Sequence, residues 1–468
     1  MTDLTEHSAV ELARMIRDRE VSASELLDAC LARIEAVNPQ LNAIVTLAPD
    51  IARERAAACD QAVVDGAALG PLHGLPVAHK DLELTAGVRT TFGSPVFADF
   101  VPTEDGLTAA RMGAAGAVVL GKTNTPEFGA GSHTFNEVFG RTMNPYDLGR
   151  TCGGSSGGAA VALATHMIPI ADGSDMGGSL RNPAAFCNVV GLRPSYGRVP
   201  GWPNRTPWSG LGTPGVMARS IDDLALQMQA VAGPDERVPI SLPEPASIFA
   251  GVTDLDVAGV RVAWTPDLGL PVATDIRDAL SFVPAHLEAL GCHVSEAMPD
   301  LHDAGEIFQT LRAWQFEISA GELYDARQDD LKDTVRWNVE AGRRRTMQDH
   351  ARATVAHAAL IERVHRFFGE YDVLALPTTQ VSPFDIELDW PRTVDGVEMD
   401  TYIDWMRSCS DITVTGCPAI SMPAAFTPDG LPVGVQFVGR PQGDVDLLRF
   451  ARSWERSVRP TRTTVVDS

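Results

Sequence analysis

Short apolar segments alternate with alanine-rich and glycine-rich segments over residues 72–240, and this alternation constrains the fold more than any other feature. Runs such as LPVAH (75–79) and AVVLGK (117–122) are too short for helices and are typical of buried strands. The alanine-rich stretches between such runs are typical of helices. Strands that alternate with helices form an α/β structure whose sheet is buried. We therefore expect residues 72–240 to form an α/β core.

The segments on either side of this core predict one sheet rather than two domains. Ser22 and Glu25 have capping-box spacing, and the helix that they begin is expected to end at Asn38-Pro39. Strand-like patterns occur both before and after a long helical stretch, which a single sheet with a helical excursion explains most simply. The fold class is therefore α/β, a single domain built around one sheet. Within one domain over 1–468, the expected divisions are N-terminal helices over 1–70, the core over 72–240, the excursion over about 300–368, and the return to the sheet with a last helix over 371–457.

Charge and cysteine content exclude several functional classes. The net charge of −23 is unsuited to a nucleic-acid surface, which needs a basic patch to displace counterions. The seven cysteines form no CxxC pair, so neither a disulfide framework nor a zinc site is expected. No signal-peptide pattern and no uncharged run of membrane-spanning length are present. We expect a cytoplasmic protein with no membrane partner; its oligomeric state is left open, with a homodimer as one option.

One motif suggests nucleotide binding but is better explained as a strand. GAVVLGKT (116–123) fits the phosphate-loop pattern GxxxxGK[ST], which would assign Lys122 and Thr123 to a nucleotide. The pattern requires a loop at its four variable positions. Here those positions are Ala-Val-Val-Leu, which favour a buried strand. The segment is therefore predicted to be a strand that ends in a polar turn.

Two glycine-rich stretches and one lysine carry the candidate chemistry. Only three of the 38 basic residues are lysines, and Lys80 ends the apolar run HGLPVAHK. ADGSDMGGSLRNP (171–183) places glycines in a turn between a strand and a helix, which Asn182 is expected to cap with Pro183 at its first position. Consecutive glycines let backbone N–H groups converge on an anion, as in an oxyanion hole, and Ser179 would lie beside them. A tight turn with a surface serine is the alternative.

The stretch RTCGGSSGGAAVALATHM (150–167) could be a linker, a phosphate cradle or a bent backbone that presents a hydroxyl. Strand-like and helix-like segments flank the stretch directly, which argues against a linker. No lysine follows it, which argues against a phosphate cradle. A serine nucleophile needs a base. No histidine has a triad signature, whereas a buried Lys80 would have a lowered pKa. The residues thus favour a bent backbone that presents Ser155, with Lys80 as the candidate base.

Motifs over most of the chain resemble the amidase signature family. They are LPVAHKD, GGSSGG, GSDMGGSLRNPAAFCNVVGLRPSYGRV, GKTNTPEFG, TMNPYD and TGCPAISMPAAFTPDGLPVGVQFVGRPQ. Lys80 precedes Ser155 by 75 residues, and Ser155 precedes Ser179 by 24, which also fits the family. Met176 is a mild departure, because the family more often has Thr or Ile there.

The resemblance implies the amidase signature fold, a single α/β domain with a large mixed β-sheet flanked by helices, and a Ser–cis-Ser–Lys triad. Ser179 would be the nucleophile, Ser155 the bridging serine after a cis peptide bond from Gly154, and Lys80 the neutral terminal base. An oxyanion hole would be formed by the amides of Met176, Gly177, Gly178 and Ser179. A relay hydroxyl would let the lysine take the nucleophile's proton and return it to the leaving amine.

Other residues are assigned supporting or binding roles. Asp175 is expected to hold the glycine turn and Ser156 to bond the nearby backbone. Arg181 is expected to support the active-site loop, with a surface ion pair as the alternative. Cys152 has no accompanying motif that would make it a nucleophile. The aromatic loop GWPNRTPWSG (201–210) is expected to edge the substrate mouth. Six aromatic residues are candidates for an apolar pocket, with core packing as the alternative: Phe128, Phe135, Trp202, Trp208, Trp314 and Trp405.

The sequence thus predicts an amide-bond hydrolase that forms an acyl-enzyme and uses neither metal nor cofactor. Its expected partners are water and small uncharged aryl or alkyl amides, with esters and carbamates (urethanes) also in range. The alternative is the glutamine-hydrolysing A-type subunit of a tRNA-dependent amidotransferase, which would need partner subunits. The sequence does not specify the substrate or the pathway.

Overall fold

The computed structural model describes residues 3–253 and 255–467, so residues 1, 2, 254 and 468 lie outside the description. Its helices are α1 (Ala9–Arg17), α2 (Ala23–Leu41), α3 (Pro49–Val64), α4 (Leu107–Ala114), α5 (Gly157–Ala164), α6 (Arg181–Phe186), α7 (Ile221–Val231), α8 (Thr274–Leu280), α9 (Val283–Ala289), α10 (Ala304–Arg327), α11 (Asp333–Arg344), α12 (Met347–Glu370), α13 (Arg407–Thr413) and α14 (Asp444–Ser457). Its strands are β1 (Ile44–Leu47), β2 (Pro76–Lys80), β3 (Val118–Thr123), β4 (Phe135–Asn136), β5 (Gly140–Arg141), β6 (Met143–Asn144), β7 (Asp147–Thr151), β8 (Ala171–Asp175), β9 (Val190–Arg193), β10 (Thr213–Ala218), β11 (Arg261–Trp264), β12 (His293–Glu296), β13 (Val373–Pro377), β14 (Thr393–Val394), β15 (Val397–Glu398), β16 (Ala419–Phe426) and β17 (Pro432–Gly439).

A mixed eight-stranded sheet forms the centre of the molecule, in the order β12-β11-β13-β17-β16-β9-β10-β8. It contains strands from both before and after the helical excursion, which confirms the predicted α/β fold with a large mixed sheet. The N-terminal strands form a separate three-stranded sheet in the order β1-β3-β2. One parallel bridge, between Val77 and Ile170, joins the two sheets edge to edge.

This edge contact places two strand ends side by side. β2 and the segment that leads into β8 run parallel at the bridge between Val77 and Ile170. The carboxyl ends of neighbouring parallel strands lie at the same edge of a sheet, which is where α/β proteins usually place their functional groups. Lys80 ends β2 and Asp175 ends β8. The fold thus brings the lysine next to the glycine turn that follows β8.

The N-terminal segment departs from the sequence prediction in two places: β1 lies between α2 and α3, and α2 ends later than expected. Ser22 and Glu25 form the predicted capping box. The helix passes through Pro39 and ends only at Leu41, so the expected end at Asn38-Pro39 is wrong. Pro39 removes a single hydrogen bond in the last turn, and Asn42 closes that turn in a left-handed conformation while its N–H donates to Asn38 O at 2.8 Å.

The nucleotide-like motif is a buried strand, as predicted. Residues 118–123 form β3, and all six are buried. Lys122 Nζ donates to the Glu83 carbonyl oxygen and to Thr85 Oγ1, the latter at 2.9 Å. Its ammonium group is thereby occupied inside the protein. Over the described residues, no helix combines the length and the apolar character that a bilayer crossing requires.

Candidate active site

Lys80 lies at the centre of a cluster of hydroxyl groups. Its side chain is buried, with 1 % exposed, and Nζ lies 2.7 Å from Ser155 Oγ, 2.9 Å from Ser156 Oγ and 3.3 Å from Ser174 Oγ. Burial lowers the pKa of Lys80 from an ordinary 10.5 to about 7, although the negative charge of Asp172 opposes this shift. The amine can therefore exist in its neutral, proton-accepting form near neutral pH.

The stretch GGSSGG is a tight bend held from outside by hydroxyl groups. The peptide bond between Gly154 and Ser155 is cis, as the resemblance implies. Thr134 Oγ1 donates to Gly153 O at 2.8 Å, and Ser132 Oγ donates to Gly154 O at 2.6 Å. These contacts fix the backbone that presents Ser155 towards Lys80.

Glycine is required where this bend meets the rest of the protein. A Cβ added to Gly158 would lie 2.4 Å from the backbone nitrogen of Asn124, which is far inside van der Waals contact. α5 begins at Gly157 and is buried along nearly its whole length. A helix that is apolar on all sides belongs in a core, so α5 anchors the end of the bend.

Ser156, predicted to bond the nearby backbone, instead directs its hydroxyl at Lys80.

Asp175 and Arg181 hold the second glycine turn. Asp175 accepts the N–H groups of Gly178 at 2.9 Å and Leu180 at 3.1 Å, and it forms a buried ion pair with Arg181 at 2.9 Å. Burial acts to raise the pKa of Asp175, but the Arg181 guanidinium prevails and holds that pKa well below its usual range. The carboxylate stays ionised and fixes the turn, and Arg181 is buried beside it rather than paired on the surface.

The same contact limits the predicted oxyanion hole. In the described residues the Gly178 N–H donates to Asp175, whereas the amides of Met176, Gly177 and Ser179 donate to no other described residue. Three of the four predicted amides are thus free for an oxyanion in this conformation.

Asn182, predicted to cap the following helix, instead lies inside α6, and its side chain donates to Ser132 Oγ at 2.8 Å. Leu180 occupies the capping position, so the prediction for Asn182 is wrong, and Pro183 is the third helical residue rather than the first.

Ser155 and Ser179 open onto one cavity of about 730 Å³. The Ser156 N–H donates to Ser179 O at 3.1 Å, which ties the two glycine-rich turns together. The wall is largely apolar and aromatic, and such a cavity suits a small organic substrate. Its aromatic wall residues are Phe92, Phe97, Phe128, Trp202 and Phe316.

The structure brings two of the six predicted aromatic residues to this cavity. Phe128 and Trp202 line it. Trp405 packs in the core, and Trp314 packs against His350. Phe135 instead packs against His133 and lies under Lys332 Nζ, which is 3.6 Å from its ring centre. Trp208 is 76 % exposed and is absent from the cavity wall among the described residues. The loop 201–210 does edge the cavity, but through residues 201–206 rather than through Trp208.

Sequence reasoning missed Phe92 and Phe97. Both lie in TTFGSPVF (90–97), a run of turn-forming residues with interspersed aromatics shortly after Lys80. Their rings pack with Phe128, at centroid distances of 6.3 Å for Phe92 and 6.1 Å for Phe97. The mixture of aromatic and turn-forming residues that marks loop 201–210 also marks this run, and it is the signal that could have found them.

Trp202 and Trp208 therefore form a matched pair of variants for the role of the loop. We expect Trp202→Ala to raise KM for acetanilide roughly tenfold and KM for acetamide less than twofold, because only the aryl group loses apolar contact area. Trp208→Ala should match the unmodified protein on both substrates. Steady-state kinetics on the two amides would test this, and equal effects of the two variants would contradict it.

Comparison with known proteins identifies the family. The Amidase family model matches residues 25–448. The chain belongs to this family. It is 35 % identical to an acylamidase of Rhodococcus erythropolis, over 98 % of this chain and 97 % of the relative. It is 33 % identical to the A-type subunit of the glutamyl-tRNA(Gln) amidotransferase of Geobacillus kaustophilus, over 97 % of this chain and 98 % of the relative.

A solved structure places the fold in the same family. A bacterial aryl acylamidase of the amidase signature enzymes superposes with a TM-score of 0.90 at 28 % identity, covering 96 % of each chain. The predicted resemblance and the amidase signature fold are thereby confirmed. At the level that these comparisons support, the chain is an amidase signature hydrolase that acts on amide C–N bonds.

Proposed function

We propose that this amidase hydrolyses small aryl or alkyl amides through an acyl-enzyme on Ser179, with Ser155 and Lys80 as the proton relay. The observation that carries the proposal is the 2.7 Å distance from Lys80 Nζ to Ser155 Oγ, in a site where Ser155 shares a cavity with Ser179. Esters and carbamates offer the same carbonyl chemistry and fall within the proposed range.

During acylation the relay takes the proton of Ser179 and later delivers a proton to the leaving amine. Ser179 Oγ attacks the substrate carbonyl carbon while its proton passes to Ser155 Oγ, and the Ser155 proton passes to neutral Lys80 Nζ. The charge that develops on the carbonyl oxygen is met by the free amides of the glycine turn. When the C–N bond breaks, Lys80 returns the proton through Ser155 to the departing amine. Water then attacks the acyl-enzyme by the same relay and releases the acid.

The reaction should depend on pH through the relay. Only the neutral amine can accept the proton, so kcat/KM should rise as pH increases through the pKa of Lys80, which is about 7 rather than an ordinary 10.5. The measured value belongs to the coupled relay. Asp172 favours the charged lysine, so Asp172→Asn should move the midpoint to lower pH. A pH–rate profile on an anilide measures both midpoints. A midpoint near 10.5 in the unmodified protein would refute the lowered pKa of Lys80.

A substrate panel on the purified chain tests the proposed function. Anilides, aliphatic amides, aryl esters, carbamates and free glutamine should be compared by kcat/KM without any added protein. The proposal requires turnover of anilides by the isolated chain. Free glutamine as the only good substrate, or activity only with added partner proteins, would instead favour the A-type amidotransferase subunit.

A further inference from the structure

Arg312 is a buried cation in the wall of the catalytic cavity. It lies on α10, is 4 % exposed, and lines the cavity together with Ser155 and Ser179. The motifs of the family resemblance lie elsewhere in the sequence, and the proposed mechanism does not use this residue. Its position raises the question of what balances its charge.

No carboxylate pairs with Arg312 among the described residues. Other buried arginines do have such partners: Arg181 pairs with Asp175 at 2.9 Å, and Arg198 pairs with Asp444 at 3.1 Å. Around Arg312 the neighbours are ring faces, with the guanidinium carbon 4.7 Å from the Phe316 centroid and 5.5 Å from the Tyr402 centroid. Ring faces offset part of the cost of a buried cation, but an anion would offset far more.

Two neutral groups hold the guanidinium in place. Its Nε donates to Asn338 Oδ1 at 3.1 Å, and its Nη2 donates to the Tyr402 hydroxyl. Asn338 Nδ2 also donates to the Tyr402 hydroxyl at 2.6 Å, so the two partners are fixed to each other. Among the described residues Nη1 donates a hydrogen bond only to the Met176 sulfur, at 3.5 Å, and thioethers are weak acceptors. The Nη1 donors are therefore held in place and left largely unsatisfied.

The other charged groups of the wall have partners or lie in solvent. Glu83 accepts the N–H groups of Thr108 and Ala109 at 3.1 and 3.2 Å, and Asp175 is paired with Arg181. The Arg205 side chain is 63 % exposed and lies 3.7 Å from Glu322. Within residues 3–253 and 255–467, Arg312 is thus the one buried cation of this wall that is without an anion.

We propose that Arg312 binds a carboxylate carried by the amide substrate at a distance from the scissile carbonyl. Guanidinium groups match carboxylates through paired N–H donors, and a preorganised guanidinium in an apolar cavity binds them strongly. The substrate class would then be amides with an apolar body and one acidic end, rather than the uncharged amides that the sequence suggested. This inference rests on the proposed function, because it names the substrate class of the same site.

Binding can be measured without turnover in a Ser179→Ala background by titration calorimetry. Two matched pairs of an acid and its neutral partner are compared. Glutaranilic acid carries the carboxylate on the acyl side of the amide, and its neutral partner is pentananilide. 4-Acetamidobenzoate carries it on the amine side, and its neutral partner is 4-acetamidotoluene. In at least one pair the acid should bind ten or more times more tightly than its neutral partner. Adding Arg312→Met should weaken that acid at least 50-fold and the neutral partner less than threefold. Arg205→Met is the matched control and should keep the preference for the acid.

The outcomes separate this inference from the proposed function. Neutral partners that bind at least as tightly in both pairs would overturn the role of Arg312, and that comparison needs no arginine variant to fold. Equal loss for acid and neutral partner in Arg312→Met would also overturn it, because a purely structural arginine affects both. Failure of the unmodified chain to hydrolyse any anilide of either pair would contradict the proposed function instead, whatever the binding data show.

Discussion

Replacing Ser179 with alanine is expected to reduce kcat on a good anilide substrate by about 10⁵-fold or more, to the background rate. Loss of the nucleophile in a serine hydrolase removes covalent catalysis entirely, and losses of roughly 10⁶-fold are known for such triads. The measurement is the steady-state rate of a purified variant whose melting temperature matches that of the unmodified protein.

Cys152→Ala is the control for this experiment. Cys152 is buried, and burial raises the pKa of its thiol to about 12, so no thiolate is present at neutral pH. The variant should retain nearly full activity. Loss of activity in Cys152→Ala together with survival of activity in Ser179→Ala would identify the cysteine as the nucleophile and contradict the account.

The second large effect concerns the relay. Lys80→Ala and Ser155→Ala should each lower kcat by roughly 10³-fold, the scale of lost general-base catalysis. The double variant should be little worse than either single variant, because the two groups pass the same proton and their losses do not add. Steady-state kcat of the three variants measures this coupling. Additive losses, near 10⁶-fold in the double variant, would mean that the two residues act independently.

Much of the fold could be predicted from local patterns. The buried strand within GAVVLGKT and the helix that begins after Ser22 could be predicted, because apolar runs and capping-box spacing are encoded within a few residues. The separation of the N-terminal strands into a three-stranded sheet was not predicted. That separation depends on which strand edges meet, which is a long-range property.

The sequence names the candidate catalytic residues, but it does not define the residues that form the cavity wall around them. Lys80, Ser155 and Ser179 stand in distinctive local contexts, whereas no local pattern distinguishes Phe128, which lines the cavity, from Phe135, which does not. Arg312 could not be found at all, because its significance lies in the absence of a carboxylate near it among the residues that the structure describes. The sequence places the Gly178 amide in the oxyanion hole. Its hydrogen bond to Asp175 forms only in the folded turn, so the sequence could not show that this amide is already occupied.

The division of roles between the two serines is the central claim, and covalent labelling tests it most directly. The unmodified protein should be treated with a fluorophosphonate and digested, and the modified peptide identified by mass spectrometry. We expect a label on Ser179, with slower labelling of the same residue in Ser155→Ala because the relay is broken. A label on Ser155 or on Cys152 in the unmodified protein would contradict it.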